Sequence, residues 1–158
     1  MSEYLTSVSD KRGVNCEVYR LYVDDSRDYD TLEYCVDLLS KNGFSRPLTG
    51  TYVYYLSIMD EIVAVAEVKY PDDLRLPLPR GQLPEAQVHA ISVDPRKQNQ
   101  HIGRALIKVI INDAKMSFNM SEVSGSSIPE ASYFYDQLVD LGILVQKEPL
   151  EYVAMLDS

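Results

Sequence analysis

No apolar run in the chain approaches the roughly 20 residues needed to span a bilayer, and Met1-Ser2-Glu3-Tyr4 lacks a basic flank followed by an apolar stretch. Membrane insertion and secretion are therefore not expected, and a cytoplasmic protein is. Cysteine is nearly absent: Cys16 and Cys35 have no metal-ligand spacing and read as small buried apolar residues in a reducing compartment. Bases are scarce as well, with 15 Lys and Arg against 24 Asp and Glu and a net charge of −9. That balance argues against nucleic acid, whose affinity rests on many cationic contacts to phosphates. It suits a cationic substrate, and equally a chain kept soluble by its charge. Internal repeats and low-complexity tracts are missing too, and 158 residues are enough for one well-buried core but short for two. A single domain over residues 1–158 is expected.

After a loose tail over residues 1–13, the Val- and Tyr-rich segment 14–23 reads as a strand. Asp30 with Glu33 forms a capping-box pattern, so a helix is expected over 31–42, stopped by Gly43. Residues 51–59 and 62–70 read as strands of a hairpin turning at Asp60-Glu61. Residues 71–85 hold Pro71, Pro77, Pro79 and Pro84, half of all the prolines. Neither helix nor central strand can run through them, and a loop of this length suggests a lid or binding loop. A strand follows at 86–93. Next comes an amphipathic helix opening near Arg104, with Ile102, Ala105, Leu106, Val109, Ile110 and Ala114 as its apolar stripe. A short strand at 122–126 leads into Ser127-Ile128-Pro129-Glu130, a second capping box. A helix to about residue 141 with Gly142 as its stop is expected there, then closing strands at 143–146 and 152–156. The order is β-α-β-β-β-α-β-α-β-β.

The segment between residues 86–93 and the following helix carries the most information. Pro95 to Asn112 holds no Asp or Glu but does hold Arg96, Lys97, Arg104 and Lys108. A strand that runs through a short basic loop into a helix start offers backbone N–H groups at the positive helix end, a setting that holds phosphates. A pyrophosphate is the expected ligand, gripped by main-chain amides from Gln100 to Arg104. Within this loop Gln98, Asn99, Gln100, His101, Ile102 and Gly103 resemble the loop signature of the GNAT superfamily of N-acetyltransferases (Gln or Arg, two residues, Gly, one residue, Gly or Ala), with His101 in place of the first glycine. His101 either accepts an unusual backbone dihedral or offers its own N–H to a phosphate. A second match is Ala131-Ser132-Tyr133-Phe134-Tyr135, similar to the family's Ala-x-x-Phe-Tyr helix. Gly142-Ile143 stands where most members have Gly-Phe, and Ser127 or Ile128 where they often have asparagine.

The resemblance spans nearly the whole chain. It implies an α/β (α+β) fold with a mixed, mostly antiparallel central sheet of six to seven strands flanked by helices. It also implies transfer of an acetyl group from acetyl-CoA to a primary amine of a small molecule, peptide or protein. Tyr135 would then protonate the departing thiolate, a task suited to a phenol that keeps its proton at neutral pH. Backbone groups of Ile91, Ser92 and Val93 would hold the pantetheine arm and orient the carbonyl. The pyrophosphate would lie on residues 98–105, including Ala105, with Arg96, Lys97, Arg104 and Lys108 as its cations. No metal is implied. Strand alternation places Gln87, His89, Ile91 and Val93 on one face and Val88, Ala90 and Ser92 on the other. Where some members carry a glutamate base, this chain has Gln87, so His89 becomes the best base, an imidazole having a reference pKa of about 6.5. Glu67 and Glu85 are alternatives. Asp24, Asp25, Asp28, Asp30 and Glu33 form an acidic wall that could draw in an ammonium group. They could equally serve as a solvated, dipole-stabilising helix start. A homodimer is compatible with this reading. The rival readings are a catalytically silent acyl-CoA-binding or protein-interaction domain on the same scaffold, and a tRNA-acetylating toxin, which would need a basic surface.

Overall fold

The computed structural model describes residues 2–24, 26–41, 50–71, 84–98, 100–126, 135, 137–139, 141–148 and 151–156. Among the described residues, eight strands form one sheet in the order β1-β2-β3-β4-β5-β6-β8-β7. β1 (Glu3–Ser9), β2 (Asn15–Tyr22), β3 (Tyr52–Ile58), β4 (Glu61–Lys69) and β5 (Glu85–Val93) pair antiparallel in succession. β6 (Glu122–Ser126) runs parallel to β5, and β8 (Glu151–Met155) and β7 (Val145–Glu148) complete the far edge antiparallel. The mixed, mostly antiparallel sheet is the one expected, with eight strands in place of six or seven. Residues 1–13, expected as a loose tail, supply β1. Among the described residues no helix is long and apolar enough to cross a membrane.

Helix α1 (Tyr29–Lys41) packs Cys35, Leu38 and Leu39 on one sheet face with Leu21, Val53, Tyr55, Val65 and Ala90. Helix α2 (Ile102–Met116) covers the other face, where Leu106 and Ile110 join Val18, Tyr54, Leu56, Ala66 and Val88. β3 and β4 lie between the two helices, so both of their faces are buried and their sequences are near-continuous apolar runs. The hairpin joining them turns at Met59-Asp60, one residue earlier than expected. Both residues are left-handed (φ 51° and 67°), the backbone that matches strand twist in a two-residue turn and that usually selects Asn-Gly.

Single-residue insertions break the strand period. β1 shifts register between Tyr4 and Thr6, so Leu5 and Val8, three apart, both pack on the α2 side. In the β4–β5 pair Glu67 opposes Ala90 and Val68 opposes Val88, which leaves His89 as the extra residue of a bulge. The expected shared face of Gln87, His89, Ile91 and Val93 is therefore corrected. Ala90 packs on the α1 side, and Ile91 and Val93 pack on the α2 side with Val88.

A buried polar network ties the C-terminal end of α2 to the sheet. Asp113 accepts from Tyr54 Oη at 2.6 Å, from Arg20 Nη1 at 2.7 Å and from Ser117 Oγ at 2.6 Å. Tyr70 meets Tyr54 hydroxyl to hydroxyl at 2.5 Å. The Arg20 guanidinium lies over the rings of Tyr52 and Phe118, at 5.2 and 4.8 Å from their centroids, and also pairs with Glu3. Burial, together with Tyr70 and Asp113, holds the Tyr54 phenol far above its ordinary pKa.

Candidate functional site

β5 organises the site. It pairs with β6 only from Glu85↔Glu122 to Val88↔Gly125 among the described residues, so beyond the bulge its C-terminal half leaves β6 behind. Asp94 N–H donates to Val63 on β4 at 2.8 Å. Backbone alternation then turns the peptide groups of Val93 and Ile91 toward the edge that faces away from β4. The Val93 carbonyl there receives a long contact, 3.4 Å, from the Gln98 side-chain amide. Ser92 belongs to the opposite phase. Its hydroxyl is buried, with no hydrogen-bond partner among the described residues, and its residue pairs with Val65.

The bulge brings His89 beside Glu67. His89 Nδ1 lies 3.9 Å from Glu67 Oε2, the imidazole side chain about one-fifth exposed and the carboxylate buried. Glu67 Oε2 also accepts the Gly50 N–H at 2.7 Å. A Cβ on residue 50 would stand 2.7 Å from Glu67 Cγ and 3.0 Å from the Val68 carbonyl, so only glycine lets this backbone reach the carboxylate. Sequence reasoning missed Gly50, whose only signal is its place just before β3. Glu85, the third base candidate, sits elsewhere: it accepts from the Ser124 hydroxyl and stands four residues from His89 along the strand, roughly 13 Å away.

Tyr135 lies in a helical turn on the α2 side, 5% exposed, its ring stacked on Tyr152 at 4.9 Å between centroids. With Val88, Gly125, Ile107 and Ile111 it borders a small cavity, about 10 Å³, between α2 and the paired ends of β5 and β6. Burial, with Tyr152 adding to it, pushes the Tyr135 phenol up to about 12. Gly142 (φ 76°) takes the left-handed position expected of a helix stop, and Ile143 N–H returns to Leu138 O at 2.9 Å. Ala131, Ser132, Tyr133 and Phe134, the helix entry at Ser127-Ile128, Asn99, Asp25 and residues 72–83 of the proline-rich loop lie outside the described residues.

Past β5 the chain makes a short turn of 3-10 helix, Pro95–Lys97, capped by Asp94, whose carboxylate accepts from Arg96 N–H at 3.0 Å. Arg96 grips Asp94 and reaches Glu61 at 2.9 Å, and this clamp lowers the Asp94 carboxyl to about 2. Arg96 is thus engaged by the carboxylates of Asp94 and Glu61 and fixes the turn to the β3–β4 hairpin. His101 follows at φ 62°, the unusual dihedral that was the first of the two alternatives. Helix α2 begins one residue later, two before the expected start at Arg104. The first helical bond of α2 runs from Ala105 N–H to His101 O at 3.1 Å, so the amides of Ile102, Gly103 and Arg104 precede the helix ladder and point out of its positive end. The His101 side chain makes no cap with them. It meets Arg104 through Nδ1 instead, and burial and the neighbouring Arg104 and Lys11 cations lower its pKa, which favours the neutral ring that can accept. Lys97 is partly exposed, while Lys108 stands exposed on the outer flank of α2, one turn past Arg104. Gln100 offers its carbonyl to Lys11 N–H at 2.8 Å, which anchors the loop to the β1–β2 turn.

The model of the Acetyltransferase (GNAT) family matches residues 15–124. A search of curated proteins finds no match. Among solved structures, the GNAT domain of S. lividans PAT superposes with a TM-score of 0.64 at 15% identity, over 97% of this chain and 96% of that one. An aminoglycoside acetyltransferase from an uncultured soil metagenomic sample, in complex with sisomicin, gives 0.58 at 20% identity over 79% and 86%. The NatC complex bound to Gag peptide and CoA gives 0.60 at 10% over 89% and 99%. At these identities the structural likeness is one of fold. The family match, covering more than half of the chain, goes further: this protein belongs to the GNAT acetyltransferase family.

Proposed function

We propose that the protein is an acetyl-CoA-dependent N-acetyltransferase acting on a primary amine. The observation that carries this reading is the C-terminal half of β5, whose Ile91 and Val93 peptide groups face an edge with no paired strand among the described residues, together with Tyr135 beside the last β5–β6 pair and the amides that open α2 ahead of its ladder. The Ile102, Gly103 and Arg104 amides and the helix dipole would receive the pyrophosphate. Residues fit this cofactor because the donors are main-chain groups in a segment without acids. On the α1 side of β5, His89 with Glu67 beside it would relieve the amine of its proton, the carboxylate orienting the ring as in other acid-base pairs. As the neutral amine's nitrogen bonds to the thioester carbonyl carbon its proton passes to His89, the C–S bond breaks, and Tyr135 gives its proton to the sulfur. The acidic residues Asp24, Asp28, Asp30 and Glu33 near the start of α1 favour a cationic acceptor. Proteins of like fold have been solved with sisomicin and with a peptide, which fits an amine acceptor.

The direct test is release of free thiol from acetyl-CoA across a panel of amines. His89→Ala is expected to lower kcat/KM by about 10²-fold and to abolish the acid limb of its pH profile. An unchanged profile would assign the base elsewhere, with Glu67→Gln as the next variant. Gly103→Pro withdraws one N–H at a helix position that tolerates proline, and acetyl-CoA affinity by calorimetry should fall about tenfold or more while helical circular dichroism persists. Undiminished affinity would mean that the α2 amides do not hold the cofactor.

A further inference from the structure

The bulge in β5 and a close backbone approach at residue 50 converge on one carboxylate. Glu67 lies in the middle of the sheet, its backbone paired with Val53 of β3 on one side and Ala90 of β5 on the other. Its side chain is buried, and Oε2 both accepts the Gly50 N–H at 2.7 Å and stands 3.9 Å from His89 Nδ1. Gly50 is held as firmly. The next residue, Thr51, donates its N–H to Val68 O at 2.8 Å, accepts from Val23 N–H at 3.0 Å, and takes the Tyr70 N–H on its hydroxyl at 3.0 Å. Gly50 does not adopt a left-handed backbone, so its dihedrals would suit alanine. Contact is what excludes a side chain: an added Cβ would fall 2.7 Å from Glu67 Cγ and 3.1 Å from Oε2. With both backbones pinned, the carboxylate would have to turn off its present line.

We propose that Gly50 is a positioning residue of the acid-base pair, its N–H fixing the Glu67 carboxylate in the direction from which its charge acts on the His89 ring. This role rests on the transferase reading above. At 3.9 Å the facing atoms are beyond hydrogen-bond reach, so the carboxylate acts on the ring through its field, which weakens as the charge is swung away. The ring becomes a cation when it takes the amine's proton, and a fixed negative charge beside it stabilises that form. Other titratable groups packed on this face stay neutral through the working range. Burial holds the Cys35 thiol of α1 up to about 12 and raises the Tyr55 phenol of β3, near Asp28, while the bond to Glu17 lifts the Tyr19 phenol of β2 to about 12.

Gly50→Ala, Glu67→Gln and the double variant are compared by thiol release with the best acceptor of the amine panel, across pH, and by calorimetry with acetyl-CoA. Turning the carboxylate away is expected to lower kcat about tenfold or more. It should also move the acid limb of the profile to lower pH, because a ring that loses a neighbouring negative charge gives up its proton more readily. Acetyl-CoA affinity should hold. Once Glu67→Gln has removed the charge, Gly50→Ala should change kcat and the profile no further, whereas a glycine needed only for packing would add its own loss. A Gly50→Ala profile that overlays wild type, or losses that multiply in the double variant, overturns the proposal and leaves the transferase reading intact. A second measurement needs no change at residue 50. By NMR, the Gly50 amide proton should shift at the midpoint of the His89 ring's own titration in wild type and stay flat over that interval in His89→Ala; a flat resonance in wild type overturns the proposal as well. If wild type releases no thiol with any amine while that resonance follows His89, the transferase reading fails and the coupling through Glu67 stands.

Discussion

Tyr135→Phe is expected to lower turnover by about 10²- to 10³-fold, the loss that accompanies removal of a positioned acid, with acetyl-CoA affinity unchanged. The substitution takes away one oxygen and nothing else. The ring stacked on Tyr152 and packed beside Leu138 is retained, so the walls of the small cavity beside β5 and β6 keep their shape. The environment that pushes the phenol up to about 12 keeps it protonated across the working range. It thus has a proton to give at any pH where an amine acceptor is partly neutral, and the developing thiolate is the base that takes it. Single-turnover measurement of thiol release, beside a binding titration, separates the two effects. Turnover within twofold of wild type would dismiss Tyr135 as the acid and leave it a core aromatic.

Asp113→Ala is expected to cost about 3–5 kcal/mol of folding stability, the penalty of stranding one member of a buried ion pair. Three donors converge on this carboxylate: the Arg20 guanidinium, the Tyr54 hydroxyl and the Ser117 hydroxyl. Glu3, the second partner of Arg20, is largely exposed and screened, so it cannot compensate for the loss. For a chain of this size the melting temperature should fall by roughly 6–20 °C, measured by thermal denaturation without ligand. Asp113→Asn, which still accepts from Tyr54, should fall less. A drop of under about 1 kcal/mol for alanine would show that Arg20 finds water or Glu3 at little expense. The network joins β2, β3 and the far end of α2, so its loss should loosen the helix from the sheet before it disturbs the amides at residues 102–104.

Where side chains repeat at a regular period, the sequence revealed the elements. The α2 stripe, the buried runs of β3 and β4, and the Gly142 stop all follow from local rules that the tertiary structure respects. β1 escaped notice because its inserted residue sets Leu5 and Val8 three apart, which matches no strand template. The same kind of insertion at His89 defeated the face assignment of Ile91 and Val93, although the residues themselves were singled out. Contacts between distant segments were also invisible. Nothing in Arg96 foretells that Glu61, thirty-five residues away, will hold it, and Gly50 gains its meaning only when Glu67 arrives beside it. The loop signature was legible because it is contiguous and its chemistry is that of the backbone. The Lys11 N–H that anchors this loop was not, because it is brought there by a hairpin from the start of the chain.

The extra residue at His89 acts as a phase shifter in β5. Removing it would restore strict alternation along the strand with every neighbour still opposite its present β4 partner: Val88 would face Val68, Ala90 would face Glu67, and Ile91 and Val93 would keep their side of the sheet. What the inserted residue adds is the imidazole set beside Glu67, not the placement of the residues that follow it. Both His89→Ala and deletion of residue 89 should therefore fold on the same register, the deletion losing in addition the local twist that the bulge gives the strand.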